Sequence, residues 1–286
     1  MSLETDRRGR GIGGSFFAEP LAAKVPEITF LFWVVKILTT AGGEAASDYL
    51  ALGSKVTGAA IETLFLVVAL IWQFRTRRYV AAAYWFLAYA IATFGTGVSD
   101  TMHLAIGIPY AGTTAFWAVV LALVFWRWQR SEGTLSIHSI TTRRRESYYW
   151  VTVFVTFALG TALGDFTATA LGLGYLASGI MFGIIILIPA VAWSRFSLGS
   201  IAAFWFAYVV TRPLGASFAD YFSKPHSTSG ANFGDGPTAV VAAILVAVLV
   251  GYLAVTRHDI QAPQPDAASP HIDPEMAPGS GPRSGY

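Results

Sequence analysis

The chain has 286 residues, 54% of them apolar and 13% charged, with a formal net charge of +2 and a mean hydropathy of +0.54. That is about half the charge of an ordinary soluble domain, and with no basic stripe interleaved with aromatics, nucleic acid is excluded as a partner. Cysteine is absent, which removes disulfides, thiolate metal sites and a cysteine nucleophile.

Taken in chain order, residues 1–25 read as a disordered cytoplasmic lead containing "TDRRGRGIGG". Eight stretches then approach the roughly 20 residues that a helix needs to cross a bilayer. They are 27–50, 56–75, 79–104, 111–129, 147–171, 175–194, 198–222 and 237–256. Arginines collect at alternate ends. Arg75, Arg77 and Arg78 follow the second stretch, Arg127, Arg130, Arg143, Arg144 and Arg145 lie around the loop at 132–145, and Arg195 and Arg257 follow the sixth and eighth. The opposite loops hold only Lys55 and Lys224. The positive-inside rule then places both termini in the cytoplasm. The tail from 259 to 286, rich in Pro, Ala, Gly and Ser, reads as disordered.

Within these stretches one spacing recurs. Trp33 precedes Asp48 by fifteen residues, and the same step joins Trp85 to Asp100, Trp150 to Asp165 and Trp205 to Asp220. Scattered at random, such a pair would occur about 0.3 times. Ten residues after each Trp stands a glycine: Gly43, Gly95, Gly160 and Gly215. An aromatic residue precedes each Trp: Phe32, Tyr84, Tyr149 and Phe204. The expectation is an all-α polytopic membrane protein, with eight transmembrane helices arranged as four parallel helical-hairpin repeats at 26–77, 78–131, 146–196 and 197–258.

Trp-led two-span units in tandem, "KVPEITFLFWVVKILTTAGGEAASDYL" above all, resemble the bacterial membrane-anchored family built from a "repeat of unknown function". The resemblance covers roughly residues 25–257 and implies eight spans in a bacterial inner membrane. It implies no activity, so function has to come from the residues.

Positions four apart share a helix face. Stepping back from each Asp gives Lys36, Thr40, Glu44 and Asp48 in the first helix, and Ala92, Thr96 and Asp100 in the third. The fifth gives Phe157, Thr161 and Asp165, and the seventh Tyr208, Arg212, Ala216, Asp220 and Lys224. Ionised groups at this depth are tolerated where they face a bundle interior, pair, or line water. Lys36 and Arg212 are expected to pair with Glu44 and the aspartates. Five acids against two bases leave an excess of negative charge suited to a hard cation held by oxygen, so Glu44, Asp48, Asp100, Asp165 and Asp220 are the candidate metal ligands. Close carboxylates that share protons would equally suit a proton relay.

The plainer readings are strong for single residues. Each Asp can equally serve only as a helix-end cap, the Trp residues are packing anchors before they are ligand contacts, and His103 is more readily a solvated loop histidine than a metal ligand. No zinc box, phosphate loop or serine elbow occurs, so an enzyme is not expected. The expectation is an inner-membrane transporter of a small cation, with a divalent metal such as manganese favoured and protons as the coupled species. The partners are the lipid bilayer and the cation or proton, and no cofactor is expected beyond a bound divalent cation. The alternatives are an organic solute or anion held by Lys36 and Arg212, or a membrane scaffold or sensor working through its tail.

Overall fold

The computed structural model describes residue 20 and residues 22–261. Its long helices are α1 (Phe30–Ala51), α2 (Lys55–Arg75), α3 (Ala81–Leu104), α4 (Tyr110–Glu132), α5 (Arg143–Asp165), α6 (Tyr175–Ile185), α7 (Leu187–Phe196), α8 (Ser200–Ser223) and α9 (Asp235–Thr256). Local chemistry sets several of the ends. The hydroxyls of Thr29, Ser54 and Thr142 accept from the amides of Phe32, Thr57 and Arg145 and so cap α1, α2 and α5. Gly133, at φ +71°, ends α4 in the left-handed region. The pair α6 and α7 is one apolar span bent at Ile186, where Pro189 lacks an amide hydrogen and crowds the carbonyl of Ile185.

Counting that pair once, eight helical segments form four hairpins, and among the described residues there is no strand. Seven segments are long and apolar enough to cross a membrane. The eighth, α1, carries Lys36 and Glu44, which it buries within the protein, and the half-buried Asp48. The chain is a multi-pass membrane protein.

The four helices that begin with the repeated Trp form a closed inner ring, α1 against α3, α3 against α5, α5 against α8, and α8 against α1. The second helix of each hairpin lies outside and packs mainly on the next hairpin's inner helix: α2 on α3, α4 on α5, α6 on α8, α9 on α1. Buried share separates the two sets. Among the scored spans it is 50–72% for the inner helices and 22% for every outer one. The outer helices present Leu64, Val119, Ile184 and Val248 outward, as a lipid-facing layer requires.

The repeated residues close this ring. A Cβ on Gly43 would collide with Ala92 of α3, and one on Gly95 would sit 3.0 Å from Phe157 Cβ of α5. On Gly160 it would strike Arg212 and Pro213 of α8, and on Gly215 it would strike Thr40 of α1. Each glycine thus admits the residue three positions before the next glycine in the cycle, the close approach that small residues permit between membrane helices. At the other end of the ring the aromatics do the same. Phe32 packs on Trp85 (5.5 Å between centroids), Tyr84 on Trp150 (5.2 Å), Tyr149 on Trp205 (6.1 Å) and Phe204 on Trp33 (5.9 Å). Each of these offset ring contacts is worth about 0.5–1.5 kcal/mol beyond its buried area.

Below the aromatic layer the ordered chain extends further than the expected boundaries at 25 and 259. Lys24 and Val25 are fully buried. Lys24 Nζ donates to Gln73 O at 2.7 Å and pairs with Glu146 at 2.6 Å. Asp259 is buried as well, accepts from the Tyr79 hydroxyl, and offers its backbone carbonyl to the amide of Glu27 at 2.8 Å. Polar side chains with fixed partners hold these segments in place, a constraint that Pro- and Ala-rich composition does not reveal. Burial lowers the Lys24 pKa, with Glu146 opposing it, and burial raises that of Asp259. The rest of the expected lead (1–19) and tail (262–286) lies outside the described residues.

Candidate functional site

Within the ring the register of the repeat sets three levels. The first comes one residue after each repeated glycine: Glu44, Thr96, Thr161 and Ala216. Glu44 Oε2 accepts from the Thr96 hydroxyl at 2.8 Å, the Thr161 hydroxyl at 3.1 Å and Arg212 Nη2 at 2.6 Å. Arg212 also donates to Thr161 Oγ1 at 2.7 Å, to Thr96 Oγ1, and to the carbonyl of Thr40 at 3.1 Å. Thr40 turns its own hydroxyl back to Ile37 O at 2.6 Å. Every inner helix therefore supplies part of one buried hub, and both charged members are almost wholly enclosed, Glu44 at 2% and Arg212 at 0% exposure. A planar guanidinium suits this place because its fork reaches several acceptors at once.

Four residues further on lie the repeated aspartates. Glu44, Asp48 and Asp220 each offer a carboxylate oxygen within 4.8 Å of the others. Two oxygens bound to one hard cation at about 2.3–2.6 Å stand at most about 5 Å apart, so this trio fits a single ion. Lys224, capping α8, pairs with Asp48 at 2.6 Å and Asp235 at 3.1 Å and lies 3.9 Å from Asp220. Asp100 and Asp165 stand on α3 and α5 within the electrostatic reach of Asp48 and Glu44. Among the described residues their carboxylates accept no hydrogen bond. Directly after Asp165 the helix widens into a π turn over Phe166–Ala170, where the Thr169 hydroxyl donates to the Asp165 carbonyl at 2.5 Å. Such turns recur at working positions in helices.

Burial works against the Lys224 ammonium, but Asp48, Asp220 and Asp235 more than offset it, so its pKa is raised above 10.5. A base whose folded pKa is raised contributes its full stability below the unfolded value and loses it as pH climbs through the folded one. Lys224→Met should therefore lower the melting temperature at every pH from 6 to about 10, with no narrowing of the difference across that range. The difference from wild type should shrink only in more alkaline solution. A difference that already narrows between pH 6 and 8 would remove this account of the lysine.

One expectation needs correcting. Lys36 is buried one level below the hub but pairs with no acid. Its Nζ donates no hydrogen bond among the described residues and lies over the rings of Phe157 (4.1 Å) and Tyr208 (4.0 Å). Arg212 takes Glu44 instead, because α8 abuts α1 at that level, whereas Lys36 lies two helical turns from Glu44 along α1. His103 serves its own loop: Nδ1 contacts Ile108 O at 2.8 Å and the ring stacks on Tyr110.

Sequence reasoning missed Glu62. It stands on outer helix α2, is 5% exposed, and accepts the Ser47 hydroxyl at 2.6 Å. The signal was present, since it is the one ionisable residue inside α2 between its two ends, and an acid there is a site candidate by default.

Comparison with known proteins agrees with the cycle seen in the ring. The model of the family described as Repeat of Unknown Function (DUF347) matches four times in tandem, at residues 31–79, 83–134, 148–198 and 203–259. Neither a curated protein nor a solved structure gives a significant match. Four consecutive matches, each spanning one hairpin, show that this chain belongs to the Repeat of Unknown Function family.

Proposed function

We propose that this protein is a transporter of a small cation, with a divalent metal such as manganese favoured and protons exchanged through the same carboxylates. The observation that carries the reading is the trio Glu44, Asp48 and Asp220, whose oxygens converge within 4.8 Å inside a closed helical ring. Oxygen ligands without thiols suit manganese, magnesium and calcium. The aromatic layer supports a carrier closed at the arginine-rich end and accessible from the aspartate end. In this reading the arginine-rich end is cytoplasmic and the bilayer is a bacterial inner membrane.

The residues divide the work. Asp48 and Asp220 receive the ion. Lys224 substitutes for it between cycles, holding Asp48 through 2.6 Å. Arg212 keeps Glu44 compensated so that the hub stays folded when no ion is bound. Asp100 and Asp165 enlarge the negative field of the entrance, which concentrates cations there.

Asp48→Asn is expected to abolish manganese uptake into proteoliposomes while the purified protein still melts cooperatively. Uptake at the wild-type rate would remove Asp48 from the pathway. An anion or organic acid held by Lys36 and Arg212 is less well supported. Arg212 is occupied by Glu44 and three threonines, and Lys36 is roofed by Phe157 and Tyr208.

A further inference from the structure

A cavity of about 470 Å³ lies between α1, α2 and α3 near the aspartate end. It is far larger than one ion needs. Cavities of about 300–1,000 Å³ that are mostly apolar and carry a few placed polar groups are the usual form of a small-molecule site. Leu52, Leu104 and Ile106 form part of its wall and are 61–71% exposed, so its rim is apolar where it meets the surface. Deeper, Phe94, Val98 and Met102 continue the apolar wall.

The charges on the wall do not balance locally. Of its acids, Asp48 and Asp235 are held by Lys224 at 2.6 and 3.1 Å. Glu62 and Asp100 remain, and Lys55 pairs with neither among the described residues. Glu62 is more than nine-tenths buried and uses Oε1 to accept from Ser47. Its Oε2 accepts no hydrogen bond among the described residues, and it occupies the space that a Cβ on Gly97 would need. A carboxylate oxygen with no protein donor, on the wall of a mostly apolar cavity, is an acceptor suited to a cationic donor.

We propose that this cavity binds a protonated organic amine with an apolar body. The ammonium donates to Glu62 Oε2, Asp100 adds a second carboxyl group one helical turn beyond Gly97, and the body lies against Phe94, Val98 and Met102. The apolar rim selects an amphipathic amine over a strongly hydrated one. The cavity shares Asp48 with the trio, but its amine-binding group, Glu62, stands on α2 and is not one of the three.

The test uses full-length protein in nanodiscs, titrated calorimetrically with octylamine and, separately, with octanol as its uncharged counterpart. Octylamine is expected to bind at least about tenfold more tightly than octanol, the equivalent of one charge-assisted hydrogen bond. Glu62→Gln keeps an acceptor for Ser47 and should weaken octylamine about tenfold or more, leaving octanol unchanged. Ala59→Phe, which fills the cavity from α2, should abolish binding of both, and Gly251→Ala on α9, where a new Cβ meets nothing within 4 Å, should change neither. Equal affinity for the two probes, or octylamine binding to Glu62→Gln as to wild type, would overturn the proposal. Should Glu62→Gln fail to fold, Ala59→Phe decides alone, because unaltered octylamine binding in that variant also overturns it.

Discussion

Replacing Arg212 with alanine is expected to cost about 3–5 kcal/mol of stability. The reason is the charge left behind. Glu44 is 2% exposed, and without Arg212 its carboxylate keeps only the hydroxyls of Thr96 and Thr161. A lysine at this position should recover little. Its single ammonium cannot serve the Thr40 carbonyl, Glu44 and Thr161 together, as the guanidinium does at 3.1, 2.6 and 2.7 Å. The double variant Glu44→Gln with Arg212→Met should regain most of the loss, since removing both charges avoids the uncompensated one. Melting curves of the four proteins in the same detergent check this. An Arg212→Ala protein as stable as wild type would mean that the hub contributes nothing.

Gly160→Ala is the second large effect, about 1–3 kcal/mol destabilising. Alanine is the better helix former by up to about 1 kcal/mol in an exposed helix, so a loss here isolates the packing cost. The new Cβ would strike Arg212 near its own Cβ and Cγ and lie 3.0 Å from Pro213 Cδ. These atoms stand close to the backbone of α8 and cannot swing aside, so the helices must part. Gly251→Ala provides the control, since nothing lies within 4 Å of a Cβ there, and it should be neutral or slightly stabilising. Equal melting temperatures for Gly160→Ala and Gly251→Ala would show that the inner ring is looser than its geometry indicates.

Much of the architecture was legible in the sequence because it is repeated. Trp, Gly and Asp recur at fixed offsets, and each offset proved to be one level of the inner ring: aromatic layer, crossing point, acid layer. The hub was half legible. Glu44, Arg212, Thr40, Thr96 and Thr161 all fall on the stripes that lead to the aspartates, so their shared interior followed from helical periodicity. Their pairing did not, because it depends on which helices adjoin at a given height. Arg212 meets Glu44 across the boundary between the last hairpin and the first, while Lys36 meets only rings. Glu62 lay off every stripe, and its role arises from a neighbour on α1, Ser47. The buried ends at Lys24 and Asp259 escaped notice because their partners, Glu146 and Tyr79, are distant in the chain.

The Glu44–Arg212 pair carries a lesson about why four hairpins are joined in one polypeptide. A tetramer of identical hairpins can set only like residues around its axis: four glutamates would repel, and so would four arginines. Covalent linkage frees each copy to differ, so that one acid and one base face each other among hydroxyls while the surrounding scaffold keeps its fourfold likeness. Symmetry builds the walls, and its deliberate violation at two positions supplies the chemistry at the axis.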